Sequence, residues 1–539
     1  MQTTTPAPLI YRSFEALART WAKPSNHWAD ASAAALILAI CAVTAYIGAV
    51  HTTIYGHDIF LMLDAGWRVL NGQRPDVDFR PSMGPALGLL FAAALRIAHN
   101  SVNAAGYASA LVGAAVGLLG YGLTRSRMAA IPAVLTSVAL TLIAVAPFPV
   151  GLSPNSLSQA MLYNRYGYAL LGLVVLESFQ GSRGYWGGFL TGVISITLLF
   201  LKPSYFLVAL AFTVCSILLA QHNRWRFAGI LAGLLLAGAA MMAYLRFDFS
   251  AVWHDFYLMS AAKSSGMSFW TIRWAFFKGL ADFLPLAVLA LLAGANAKRA
   301  WQPIALAIVA FIGGALLLAT NGQLRGFPLN AVFAILLIER GRAASKANAA
   351  LILIGLVAYL PVFVGSAGGL GIALLQSRQD PPDAEVARFH TPHLASLLLY
   401  DVPEGTDADK RSNGRAYVTY VNDGVDLLGR FSQRDETIFT LDVQNPFSYA
   451  LLRHPAHGGS ACLSFNHTFN DAHKPSAEWL FGAADIVMVP KHPSGSEPEA
   501  NALFRNYLAN IKAGFRLCAE SDWWELYKRP GNLRGCVAH

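Results

Sequence analysis

Residues 31–50 read ASAAALILAICAVTAYIGAV, a run of twenty positions without a single charged side chain. About 20 apolar residues in a helix are enough to span the hydrocarbon core of a bilayer. Comparable runs recur along the chain as far as residue 375. Charged residues make up 13% of the chain and hydrophobic residues 55%, whereas soluble domains carry about 25% charged residues. The composition therefore predicts a polytopic membrane protein.

Short loops rich in Lys and Arg mark the cytoplasmic side of a membrane protein. All such loops fall on one side if the N-terminus is cytoplasmic and the chain crosses the bacterial inner membrane eleven times. The spans are then 31–50, 103–123, 129–148, 166–179, 187–201, 204–220, 227–245, 279–294, 303–319, 327–339 and 349–374.

The apolar segment 84–97 does not fit this count. Fourteen helical residues reach roughly 21 Å, which is shorter than a hydrocarbon core of about 30 Å. We therefore expect this segment to lie in the outer leaflet without crossing it, inside a first outer loop that covers residues 51–102.

Three regions follow from the composition. Residues 1–30 form a cytoplasmic segment, residues 31–375 form the membrane domain, and residues 376–539 are polar and lack a spanning run. This last region is predicted to be a periplasmic α/β domain. Its predicted β-segments are 416–421, 437–441, 461–465, 484–489 and 515–528, and its predicted helix is 497–513.

The cysteines and the net charge bear on the compartment of the C-terminal domain and on the partners of the protein. One disulfide among Cys462, Cys518 and Cys536 is expected if the C-terminal domain is extracytoplasmic, and the sequence does not choose the pair. The net charge of +9 is scattered between the spans, which indicates orientation and contact with membrane lipids and argues against nucleic acid. The histidines of the C-terminal domain do not have the spacing of a closed zinc site.

The first outer loop concentrates acidic residues. Residues 57–87 read HDIFLMLDAGWRVLNGQRPDVDFRPSMGPAL. Asp58 either caps the helix that follows it or carries out chemistry as a carboxylate at the membrane surface. His57 beside it and Asp64 on the helix are secondary candidates, and Asp64 is expected to contact another loop or to join a network. Asp78 is a further secondary candidate within a turn, where Asp is common.

This loop resembles the first luminal loop of the GT-C superfamily of integral-membrane glycosyltransferases. That superfamily includes oligosaccharyltransferase catalytic subunits, protein mannosyltransferases and aminoarabinose transferases. Its members have an acidic residue after the first span, then a helix ending in a G-x-x-P turn, then a Gly/Pro-Pro-Leu helix. Asp58, the GQRP of residues 72–75 and the GPAL of residues 84–87 match these positions. The resemblance covers residues 31–375 at superfamily level.

The resemblance implies an inverting transfer of a sugar from a polyprenyl-phosphate donor to an extracytoplasmic glycan, lipid or protein. Asp58 would be the general base that deprotonates the acceptor hydroxyl. A cation would take up the negative charge on the departing phosphate.

Candidate phosphate ligands stand at the ends of later spans. Some relatives carry a second acidic, metal-binding motif in the second outer loop, where this chain has Tyr163, Asn164 and Arg165. A divalent cation is therefore not supported as a cofactor, and Arg165 with its two neighbours is expected to meet the donor phosphate directly. The alternative for Arg165 is an anchor at headgroup level. Lys202 and Arg325 are further candidates, and a snorkelling lysine is the alternative for Lys202.

A transporter or flippase of lipid-linked glycans is the second hypothesis. Transporters place ionisable groups near the membrane midplane, often in repeated halves. Here the spans hold almost no carboxylates and no repeat is evident, so the sequence favours chemistry at the membrane surface.

Overall fold

A computed structural model of the protein describes residues 20–21, 23–24, 26–179, 184–219, 224–264, 269–296, 301–321, 326–342, 348–401 and 411–536. The N-terminal part is helical. Its helices are α1 (His27–Ile47), α2 (Ile59–Leu70), α3 (Pro85–Ile97), α4 (Ala104–Thr124), α5 (Ala130–Val145), α6 (Leu162–Phe179), α7 (Tyr185–Leu201), α8 (Pro203–Leu219), α9 (Arg224–Tyr244), α10 (Phe249–Ser264), α11 (Phe269–Asn296), α12 (Trp301–Thr320), α13 (Asn330–Arg342) and α14 (Asn348–Gln376).

Every predicted span coincides with one of these helices; only α2, α3 and α10 lie outside the predicted spans. Within the described part of the chain, six helices are long and apolar enough to cross a membrane by length and composition. Shorter apolar helices accompany them. The fold class predicted from the sequence, a polytopic α-helical membrane protein, is confirmed.

Glycine allows two of the helices to pack unusually closely. A Cβ atom added to Gly188 of α7 would lie 2.0 Å from the carbonyl oxygen of Arg226 in α9, and one added to Gly233 would lie 2.2 Å from that of Phe189. Backbones that approach this closely exclude any larger residue, which is how small residues drive helix association in membranes.

At one end of the bundle, three contacts join described residues of the predicted cytoplasmic side. There Trp21 Nε1 donates to Glu339 Oε1 at 2.9 Å, and Arg125 pairs with Asp30. Arg340 donates to the main-chain carbonyl at the end of α6. We call this the basic-loop end. The opposite end, where α7 ends at Leu201, is called the site end.

Helix α3 begins and ends at the site end. The Gly84 amide before it donates to Leu201 O at 3.1 Å, at the last residue of α7. The Val102 amide after it donates to His393 O of the C-terminal region at 2.9 Å. Both ends of α3 therefore contact segments at the same end of the bundle, and the non-spanning assignment of residues 84–97 stays a prediction.

The C-terminal domain is a small α/β unit, as predicted. Its strands are β1 (Val386–Ala387), β2 (Leu399–Tyr400), β3 (Ile438–Thr440), β4 (Ile486–Pro490), β5 (Arg516–Glu520) and β6 (Trp524–Lys528). Its helices are α15 (Gly414–Phe431), α16 (Phe447–Ala450), α17 (Ala477–Phe481) and α18 (Glu497–Gly514). The main sheet has the order β3-β4-β6-β5, with β3 parallel to β4 and the other pairs antiparallel.

Two predicted β-segments are wrong. Residues 416–421 belong to α15, because Tyr417, Val421 and Leu428 recur at helical spacing and bury one face of the helix. That tertiary packing overrides the β-propensity of Tyr and Val. Residues 461–465 form no strand, and only isolated bridges such as Gln444↔Cys462 hold them.

The C-terminal domain is joined directly to the first outer loop. Thr52 pairs with Leu399 and Arg80 pairs with Ser460 in isolated β-bridges. The disulfide is Cys518–Cys536, which leaves Cys462 as a buried free thiol. The first outer loop therefore lies between the membrane helices and the C-terminal domain.

Candidate active site

Asp58 closes a short 3-10 turn, Gly56–Asp58, directly before α2. Its backbone is helical, and its side chain makes no capping hydrogen bond to the first turn of α2. The carboxylate instead lies with Oδ1 3.4 Å from Gln444 Nε2 and 3.4 Å from His57 Nε2. Because 24% of its side chain is exposed, a small molecule can reach it.

The surroundings of Asp58 favour its protonated form. Burial raises the pKa of Asp58 above its ordinary value, His57 opposes this, and the charge of Glu499 adds to it. A general base works best when its pKa approaches the working pH, because it then accepts a proton readily and is still ionised often enough. The raised pKa therefore makes Asp58 a better proton acceptor than an ordinary aspartate.

His57 is held in one orientation by the C-terminal domain. Its Nδ1 lies 3.1 Å from the carbonyl oxygen of Ser412. A carbonyl can only accept a hydrogen bond, so Nδ1 carries the proton, and Nε2 is the nitrogen that faces Asp58. The two residues therefore form a pair that can share a proton.

Three of the predicted phosphate ligands, Tyr163, Asn164 and Lys202, lie together at the junction of α7 and α8. Lys202 Nζ donates to Asn164 Oδ1 at 3.0 Å and lies 4.9 Å from the centre of the Tyr163 ring. Burial holds the pKa of Lys202 well below its ordinary value, and Lys263 adds to the effect. The charge of Asp58 acts on the hydroxyl of Tyr163, so this group neighbours the predicted base.

A chain of hydrogen bonds links Lys202 to Lys263 of α10. Asn164 O accepts from Tyr205 Oη at 3.0 Å, and Tyr205 Oη accepts from Asn321 Nδ2 at 3.1 Å. Lys263 in turn donates to Thr320 O, the residue before Asn321. Two lysines are thus fixed at the site end by the same network.

Arg165 points into protein rather than toward Lys202. It is buried, with Nε donating to Phe148 O and Nη1 donating to Ile143 O at 3.3 Å. Its guanidinium lies 4.3 Å from the centre of the Phe148 ring. These contacts hold the C-terminal end of α5 in place. Arg325, the other predicted arginine, lies outside the described residues.

The two secondary aspartates belong to buried or half-buried ion pairs. Asp64 Oδ2 accepts from Arg68 Nε at 2.8 Å, and both side chains are almost completely buried. Asp78 Oδ2 accepts from Arg74 Nε at 2.9 Å, and Oδ1 lies 3.3 Å from His457 Nε2. The structure therefore ties both residues to the packing of the first outer loop.

No protein-family model matches the chain, and no curated protein matches it in sequence. Among solved structures it is similar to ArnT from Cupriavidus metallidurans in the apo state, with 12% sequence identity and a TM-score of 0.40. That similarity covers 94% of this chain and 99% of the other. The function has to follow from the chemistry of the chain's own residues.

Sequence patterns did not point to the contribution of the C-terminal domain. Gln444 reaches Asp58 from a separation of 386 residues, and Glu499 acts on it from the first turn of α18. No local motif encodes contacts of this range. Among the described residues, no three His, Cys, Asp or Glu side chains are grouped so that they could hold a metal ion, and we assign no step of the reaction to a metal.

Proposed function

We propose that the protein is an inverting GT-C-type glycosyltransferase that moves a sugar from a polyprenyl-phosphate donor to an acceptor at the site end. The observation that carries the proposal is the Asp58 carboxylate, which is 24% exposed and has a raised pKa. Its charge acts on Tyr163, the residue whose ring lies against Lys202. The resemblance of the first outer loop to the GT-C superfamily supports the same chemistry.

The reaction needs one base and one anion site. Asp58 takes the proton from the acceptor hydroxyl, whose oxygen forms a bond to the anomeric carbon. The bond from that carbon to the phosphate oxygen breaks at the same time, and the electron pair leaves with the polyprenyl phosphate. A single displacement of this kind inverts the configuration of the sugar, because the acceptor oxygen attacks opposite the leaving group.

Lys202 is the proposed phosphate ligand. Its amino group is desolvated and oriented by Asn164, and Tyr163 covers one side of it. Burial and Lys263 favour the neutral amine when no anion is bound, and an anionic phosphate beside Lys202 favours the ammonium. The ammonium, held in a site that excludes water, then stabilises developing negative charge more strongly than a hydrated cation does. We assign Arg165 to positioning α5 and the start of α6, because its described donors are engaged by main-chain oxygens.

We further propose that the site end faces the periplasm of a bacterial inner membrane. The described basic residues Arg125 and Arg340 at the opposite end support this orientation. A disulfide in the C-terminal domain agrees with an oxidising compartment. The donor and acceptor would then reach Asp58 from the outer leaflet, with a cell-envelope glycan, lipid or protein as the acceptor.

Asp58→Asn tests the proposal. The amide keeps the size of the side chain but cannot take a proton, so we expect turnover to fall by about 10²- to 10⁴-fold. Release of polyprenyl phosphate would be measured with purified full-length protein in lipid nanodiscs, supplied with polyprenyl-phosphate sugars and envelope acceptors. The control is Asp380→Asn, whose carboxylate is 90% exposed. Full activity of Asp58→Asn would exclude Asp58 as the base.

A further inference from the structure

A tight turn of the C-terminal domain carries His467, whose side chain is partly exposed and partly covered by protein. The amides of His467 and Thr468 both donate to Ser464 O, at 3.1 and 2.8 Å, and the Asn466 amide donates to Phe469 O at 2.8 Å. Asn466 adopts a left-handed conformation, with φ 62°, which Asn tolerates better than most residues. The buried ring of Phe469 anchors the turn, so His467 is presented at the tip of a rigid support.

This turn rests on α10 close to Lys263. Asn470 Nδ2 donates to Ala261 O at 3.3 Å, two residues before Lys263. Arg80 Nη2 donates to Thr468 O at 3.3 Å from the first outer loop. Contacts on both sides therefore hold the turn that carries His467 against α10 and the first outer loop.

The charged groups that face His467 come from three elements of the structure. They are Lys263 of α10, Lys202 between α7 and α8, and Glu499 of α18. Burial lowers the pKa of His467 below its ordinary value, both lysines lower it further, and Glu499 opposes them. The imidazole is thus neutral at physiological pH while the site holds no anion.

We propose that His467 is a donor-phosphate ligand that takes up a proton when the phosphate becomes a monoester, so that the C-terminal domain completes the active site. The inference rests on the proposed function. A polyprenyl-phosphate sugar is a phosphodiester with one negative charge. The departing polyprenyl phosphate is a monoester, which carries between one and two charges near pH 7. An imidazolium that forms beside it neutralises the added charge.

Binding of farnesyl phosphate, a monoester, tests this without sugar transfer. Titration calorimetry on the full-length protein at pH 7.5, in two buffers of different ionisation enthalpy, counts the protons taken up on binding. We expect His467→Gln to bind about tenfold more weakly, because a charge-assisted hydrogen bond is lost. We also expect it to take up roughly half a proton less per phosphate bound than the unaltered protein.

The matched control is His473→Gln. This imidazole stacks edge-on against Tyr257, with ring centroids 5.7 Å apart, on the same segment as the turn. The His473→Gln variant should leave unchanged both the affinity for farnesyl phosphate and the number of protons taken up on binding. Equal proton uptake by His467→Gln and the unaltered protein would overturn the proposal, as would an unaltered protein that fails to bind farnesyl phosphate. Because no sugar is transferred, these outcomes are independent of the result with Asp58→Asn.

Discussion

At the scale of single residues, His57 tunes the base. Its positive form lowers the pKa of Asp58, which burial and Glu499 raise. In His57→Gln the opposing charge is lost, while the amide can still donate to Ser412 O, so the pKa of Asp58 should rise. The ascending limb of the pH profile of kcat/KM reports deprotonation of the base, and we expect it to move to higher pH. A limb that stays in place or moves to lower pH would contradict the pairing of these residues.

A second prediction for a single residue concerns the buried carboxyl group of Asp76. It is buried beside Asp255, whose carboxylate pairs with Arg80 Nε at 2.6 Å. Burial raises the pKa of Asp76 well above its ordinary value, the charge of Asp255 adds to this, and Arg80 opposes it. A raised pKa in the folded state means that the native protein favours the protonated form. The stability contributed by that proton is present at low pH and lost as the pH rises through the folded pKa.

Asp76→Asn should therefore stabilise the protein at alkaline pH. Each pKa unit corresponds to about 1.4 kcal/mol, and the loss of stability begins above the ordinary pKa of the carboxyl group. We therefore expect a gain on the order of 1 kcal/mol or more at pH 9 and almost none at about pH 3.5. Thermal melting of the purified protein at the two pH values measures the difference.

Asp78→Asn is the control, for which the opposite effect on stability is expected. Burial would raise the pKa of Asp78, but hydrogen bonds and charge from Arg74 lower it, so its loss should destabilise the protein at neutral pH. A destabilised Asp76→Asn at pH 9 would contradict the assignment.

At the scale of elements, the membrane helices were predictable and the long-range contacts were not. Runs of apolar residues give every spanning helix, because in a bilayer each backbone group must be bonded within its own segment. The short length of residues 84–97 predicts that α3 does not cross the membrane, and this stays a prediction. The sequence does contain the helical spacing of the buried residues of α15, but the β-propensity of Tyr and Val in residues 416–421 pointed to a strand instead. The first outer loop supplied Asp58, whereas Gln444 and Glu499 reach the site through packing that no local pattern records.

At the scale of the whole molecule, one apolar core joins the first outer loop, the membrane helices and the C-terminal domain. Phe60 of α2, Tyr166 of α6 and Trp524 of β6 are buried in this same cluster. The site therefore exists only when both regions are assembled. Arg68 of α2 is a polar connection between them. It is buried, and its Nη1 donates to Ala456 O at 3.0 Å and to Gly458 O at 2.9 Å.

Arg68→Ala should weaken the attachment of the C-terminal domain. It leaves the carboxylate of Asp64 buried without its partner, a loss that typically costs about 3–5 kcal/mol. It also removes the Arg68 hydrogen bonds to Gly458 O and Ala456 O of the C-terminal domain. Of these two oxygens, Ala456 O still accepts from Gln73 Nε2 at 3.1 Å. We expect limited proteolysis to release the C-terminal domain from this variant faster than from the unaltered protein, and sugar transfer to fall with it.

Arg388→Ala is the matched control, because its partners Asp380 and Asp383 are 90% and 87% exposed, and such pairs contribute about 0–1 kcal/mol. If the two variants were cleaved at the same rate, the Arg68 network could not be what holds the C-terminal domain over Asp58.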